Sequence, residues 1–190
     1  MKRKQLYIVP GFGEFPTDLP YKKITQFARK QGYTVIPVSI VWDRRTMSHW
    51  LEQLREVVKK HGDTNSILLG FSFGAYIALL GSKEFNFEKV FLCSLSPYFK
   101  EDLKHIPEDA KKFFGKKRMA DFQKYTVPRI TIPTTLFFGD QDWPMAIKKA
   151  RKIAKDNPAA SFELIEGIGH DISEEEYLEK IKQHLKNPAD

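Results

Sequence analysis

With one cysteine in 190 residues, Cys93, the chain can close no internal disulfide, and no C-x-x-C or Cys/His cluster marks a metal. A reducing, cytoplasmic setting is the expectation. Long hydrophobic runs are missing as well. Behind the basic Met1-Lys2-Arg3-Lys4 the apolar stretch is only Leu6 to Val9 before Pro10-Gly11, too short for a signal-peptide core or a membrane span. No internal repeat or low-complexity segment occurs. Lys and Arg number 31 against 24 Asp and Glu, and the resulting +7 is spread along the chain, so no nucleic-acid partner is expected. What is present is the composition of a soluble globule, 42% hydrophobic, with a length that suits one domain spanning 1–190.

Short β-rich runs recur at Leu6 to Val9, Tyr33 to Ile40, Ile67 to Leu69, Val90 to Cys93, Thr134 to Phe138 and Ser161 to Ile165. Helical segments alternate with them. Met47, Trp50, Leu51, Leu54, Val57 and Val58 repeat at helical spacing, and His61-Gly62 follows as a stop. Ser173 with Glu176 three residues on reads as a capping box opening a last helix striped by Tyr177, Leu178, Ile181 and Leu185. Strands alternating with helices imply an α/β fold, a three-layer sandwich with a mostly parallel sheet of about six strands and helices on both faces. Its reactive rim lies at the C-terminal strand ends. The one long departure from alternation, Ser96 to Pro133, reads as an insertion over that rim.

On the rim, Gly70-Phe71-Ser72-Phe73-Gly74 reads G-x-S-x-G between an apolar run and a helix. A chain that turns this sharply strains the serine and leaves no room for side chains two residues either side, which glycines at 70 and 74 supply. The serine oxygen then lies at a helix N-terminus that favours developing negative charge. A plain helix cap by Ser72 is the alternative. After the fifth run comes Gly139-Asp140-Gln141-Asp142-Trp143-Pro144, and after the sixth Gly167-Ile168-Gly169-His170. A serine nucleophile needs a base and the base an orienting acid, and Ser, Asp, His follow in that order.

Together these motifs resemble the α/β-hydrolase family over nearly the whole chain, as a minimal member without the two leading strands of the family's eight-stranded sheet. The resemblance implies Ser72 as nucleophile, His170 as general base and Asp142 as orienting acid. Asp142 is preferred to Asp140 because it matches the family's G-x-x-D position and precedes Pro144 at a helix start. It further implies an oxyanion hole from the backbone N–H groups of Phe73 and Phe12, the latter on the Pro10-Gly11-Phe12-Gly13 loop. That Gly-x-Gly is no dinucleotide loop, because Pro16 stands where a third glycine would open the helix. No cofactor is expected.

The implied activity is hydrolysis of a small ester-like substrate through an acyl-enzyme. A thioesterase or other acyl hydrolase, and a non-catalytic ligand- or protein-binding module on the same fold, remain alternatives. Phe71, Tyr98, Phe99 and Trp143 lie beside rim loops and read equally as substrate pocket or as core. In the insertion, Phe113, Phe114, Phe122 and Tyr125 mix with Lys111, Lys112, Lys116, Lys117 and Arg118, a small cap or an amphipathic helix. His49, His61, His105 and His184 read as surface or packing residues.

Overall fold

A computed structural model describes residues 4–186. The basic Met1 to Arg3 segment lies outside the described residues. Six strands, β1 (Gln5–Val9), β2 (Thr34–Pro37), β3 (Ser66–Phe71), β4 (Lys89–Cys93), β5 (Thr134–Gly139) and β6 (Ala160–Ile165), form one parallel sheet in the order β2-β1-β3-β4-β5-β6. Helices α1 (Leu19–Lys30), α2 (Met47–His61), α3 (Phe73–Ser82), α4 (Glu108–Phe122), α5 (Pro144–Asp156) and α6 (Glu175–Lys186) connect or follow them. Every expected strand is present. The second is shorter than Tyr33 to Ile40: it is an edge strand ending at Pro37, whose missing N–H falls on the open side, while the Val38 N–H still donates to Ile8 O of β1 at 2.9 Å.

Strand alternation divides the core. Tyr7, Val9, Leu68, Val90, Leu92, Leu136 and Phe138 face α2, α3 and α5, while Leu6, Ile8, Ile67, Leu69, Phe91 and Phe137 face α1 and α6. Helix α2 forms where Met47, Trp50, Leu51, Leu54 and Val58 make a buried stripe. It is closed at its start by the Thr46 N–H donating to His49 Nδ1 at 3.3 Å, and at its end by Gly62, at φ 86°. Proline at the first or second position opens α1 and α5.

One expectation needs correction. The last helix does not open at Ser173. It starts at Glu175, with the Leu178 N–H bonded to Glu174 O at 3.1 Å, because Asp171 Oδ1 captures the Ser173 N–H at 2.8 Å and holds that residue in a turn. The stretch read as a small cap or an amphipathic helix forms α4 in the β4–β5 connection, interrupted at Gly115, at φ 74° and ψ 164°. Phe114 and Phe122 are buried while Phe113 stays 65% exposed.

Strand order reverses beside β1: the chain leaves it for β2 on one side and returns to β3 on the other. In parallel α/β sheets the crevice beyond such a switch point is where ligands bind. Here it receives the Pro10–Gly13 loop and the first turn of α3. The two press together, since a Cβ on Gly74 would stand 2.2 Å from Val9 O and 2.3 Å from Pro10 O. Those are backbone atoms that cannot swing aside. Gly74→Ala is therefore expected to lower unfolding free energy by at least about 1–3 kcal/mol in urea melts. Gly169→Ala, whose Cβ meets nothing within 4 Å, should stay within about 0.5 kcal/mol. Equal stability for the two variants would contradict this packing.

Candidate active site

Ser72 follows β3 with φ 54° and ψ −117°, a left-handed conformation that non-glycine residues rarely take. Its surroundings hold it there. The Ser72 N–H donates to Cys93 O at 2.8 Å, and Ser72 O accepts from the N–H groups of Tyr76 at 3.2 Å and Ser96 at 3.3 Å. A Cβ on Gly70 would lie 2.3 Å from Gly74 O, so both flanking glycines are required by backbone contact.

The loops after β5 and β6 are locked to each other. A Cβ on Gly139 would meet Ile168 O at 2.0 Å, and the Gln141 N–H donates to that same carbonyl at 2.9 Å. Asp140 Oδ1 accepts the Gly167 N–H at 2.9 Å. Asp142 instead faces His170. The structure thus gives the two aspartates separate partners.

His170 Nδ1 lies 3.0 Å from Asp142 Oδ1 and 3.2 Å from Oδ2, and its Nε2 lies 2.9 Å from Ser72 Oγ. An ionised carboxylate only accepts, so Nδ1 carries the proton of the neutral ring and Nε2 presents its lone pair to the Ser72 hydroxyl. Phe71 packs beneath the imidazole, ring centres 5.1 Å apart. Burial acts to raise the Asp142 pKa, but the His170 imidazole, the Ser94 hydroxyl and the Trp143 N–H, bonded at 2.7 Å, outweigh it and hold the carboxyl below its ordinary value. Charge is thereby kept at the closed end of the array, with the half-exposed imidazole at the other.

The N–H groups of Phe12 and Phe73 have no hydrogen-bond partner among the described residues. Around Phe12 the loop is braced. The Gly11 N–H lies 2.9 Å from Glu14 Oε2 and 3.0 Å from the Tyr21 hydroxyl, Tyr21 donates to the same Glu14 oxygen, and Trp42 Nε1 donates to Glu14 O at 3.2 Å. Burial, then Glu14, drives the Tyr21 pKa up, so the phenol keeps its proton.

Glu14, Tyr21 and Trp42 were not legible as site residues, nor was Ser96, whose Oγ lies 3.1 Å from Ser72 Oγ. With the Ser72 hydroxyl donating to His170, Ser96 is the donor to Ser72 Oγ. Its place just beyond the end of β4, beside the β3 terminus, was the available signal. Among the aromatics, Phe99 is fully buried against Tyr76 at 4.6 Å, and Phe71, also buried, packs against His170. Tyr98 packs on Phe73 at 4.9 Å, and Trp143, partly buried, caps α5. A groove of about 860 Å³ runs along α4 between Lys100, Lys104, Lys111, Lys112 and Lys116 and contains none of Ser72, Asp142 or His170.

No protein-family model matches the sequence, and no curated protein does. The likeness lies in the fold. A putative hydrolase from Agrobacterium vitis S4 superposes with TM-score 0.82 at 18% identity, over 97% of this chain and 87% of that one. Alpha/beta hydrolase domain-containing protein 10 from mouse gives 0.79 at 12% identity, over 98% and 90%. The esterase EaEST from Exiguobacterium antarcticum gives 0.73 at 18% identity, over 97% and 92%. This chain has the α/β-hydrolase fold. Within the α/β-hydrolase fold its parallel sheet is a six-stranded, minimal version, and Ser72 stands at the turn from β3 to α3.

Because the folded pKa of Asp142 lies below the unfolded carboxylate value of about 3.9, its stabilisation is complete above that value and is lost as pH falls through the folded one. The difference in unfolding free energy between wild type and Asp142→Asn should therefore shrink as pH drops from about 5 to about 2. A difference constant over that range would mean that Asp142 is not held ionised by its partners.

Proposed function

We propose that the chain is a serine hydrolase that cleaves small carboxylic esters through an acyl-enzyme on Ser72. The observation carrying this reading is the continuous hydrogen-bonded series Ser72–His170–Asp142, anchored on a strained serine. His170 Nε2 takes the Ser72 proton as Oγ bonds to the substrate carbonyl carbon. The carbonyl π electrons move onto oxygen, and the N–H groups of Phe12 and Phe73 stabilise the oxyanion. As the tetrahedral adduct collapses, the bond to the alcohol oxygen breaks and His170 gives that oxygen its proton. Water, deprotonated by His170, then releases the acid and regenerates Ser72.

Asp142 keeps the imidazole in the required tautomer and stabilises the imidazolium that forms. Ser96 steadies the Ser72 oxygen at rest. The chemistry requires no metal or redox cofactor. A reducing, cytoplasmic setting suits the proposal, with Cys93 buried and its thiol pKa pushed up by desolvation. An esterase among the structural neighbours, EaEST, supports an ester as the first substrate class to test.

Hydrolysis of p-nitrophenyl acetate and butyrate tests the reading, beside the matching acyl thioesters. Ser72→Ala should lower kcat/KM by at least about 10³-fold, and Asp142→Asn by up to about 10⁴-fold, mostly in kcat. Ester turnover unchanged by Ser72→Ala would overturn the proposal. Thioester turnover far exceeding ester turnover would redirect it to thioesterase chemistry.

A further inference from the structure

We propose that Arg118, on α4, is a positioning residue for the proposed oxyanion hole, acting through the side chain of Phe12; the inference rests on the serine-hydrolase reading above. It makes the 96–133 segment a fixed clamp over the Pro10–Gly13 loop.

Phe12 stands on a loop whose neighbouring glycines give the backbone freedom, with Gly13 at φ 80°. A donor N–H there stabilises an oxyanion only if its peptide plane is held in place. The Phe12 ring supplies that hold. It is surrounded by Trp42 at 5.2 Å, Phe114 at 5.5 Å, Trp50 and Phe73 at 5.7 Å, and Phe113 at 5.8 Å.

Arg118 closes this cage. Its guanidinium carbon lies 5.3 Å from the Phe12 ring centre and 5.7 Å from that of Trp50. Its Nε donates to Arg45 O at 2.9 Å and its Nη2 to Trp42 O at 3.0 Å. No carboxylate pairs with it among the described residues. The cation is therefore satisfied by two ring faces and two carbonyls, and it joins the β2–α2 connection, α2 and α4 around a single side chain. A planar fork can meet both carbonyls while lying over a ring; an ammonium cannot.

Arg118→Met keeps the aliphatic stem and removes the fork and the charge. In a variant with unchanged far-UV dichroism, kcat for p-nitrophenyl butyrate should fall about 10- to 100-fold, toward the loss of one oxyanion donor, with KM changed less than about twofold. Affinity for a trifluoromethyl ketone, whose adduct places an oxyanion on the same donors, should fall in parallel with kcat. Arg118→Lys, retaining charge without the fork, should recover part of both. Independently of activity, the Phe12 amide resonance in a ¹H–¹⁵N spectrum should move or broaden in Arg118→Met. A Phe12 amide that neither moves nor broadens overturns the proposal, as does unchanged kcat, or reduced kcat with undiminished trifluoromethyl ketone affinity, in a protein whose wild type shows Ser72-dependent turnover. Absence of that turnover in the wild type would sink the hydrolase reading instead, and the amide measurement would still decide the clamp.

Discussion

Everything proposed for this protein depends on the steric contact between the first turn of α3 and the end of β1. Because Gly74 rests against the carbonyls of Val9 and Pro10, and Gly70 against Gly74, the chain can leave β3 only by passing Ser72 through a left-handed conformation. The strain is borne by the packed sheet on both sides. It brings the Ser72 hydroxyl within 2.9 Å of His170 Nε2 and puts the following N–H, that of Phe73, at a helix N-terminus beside the loop that carries Phe12. Strand order produces this juxtaposition, since β1 and β3 are neighbours flanking the switch point.

A second contact fixes the opposite half of the site. Gly139 lies against Ile168 O, so the loops after β5 and β6 move as one body and the distance from Asp142 to His170 is determined by backbone packing. The buried carboxylate, kept ionised by three hydrogen-bonding partners, orients an imidazole whose other nitrogen faces the Ser72 hydroxyl. Electrostatics therefore acts inside a geometry that van der Waals contact has already set.

The parts legible in the sequence are those governed by local rules. Short β-rich runs marked the six strands, period-3.6 patterning marked α2, and the glycines at 70 and 74 marked backbone contacts. Pro144 marked the helix start beside Asp142. The parts that were not legible depend on partners distant in the chain. Ser173 forms no helix start because Asp171 competes for its N–H, and Phe99 is buried against Tyr76. Ser96, Glu14, Tyr21 and Arg118 reach the site only once β4, α1 and α4 are in place, and no spacing rule links Arg118 to Phe12 across more than a hundred residues. The kink at Gly115 likewise left no periodic signature.

The central claim is that one strained serine is the reactive nucleophile, and covalent labelling tests it most directly. Intact-mass measurement after brief exposure to a fluorophosphonate should show a single adduct on the folded wild type, mapping to the peptide that contains Ser72. The adduct should be lost in Ser72→Ala and strongly slowed in His170→Ala. Labelling that persists in Ser72→Ala, or a folded wild type that takes up no adduct, would contradict the account.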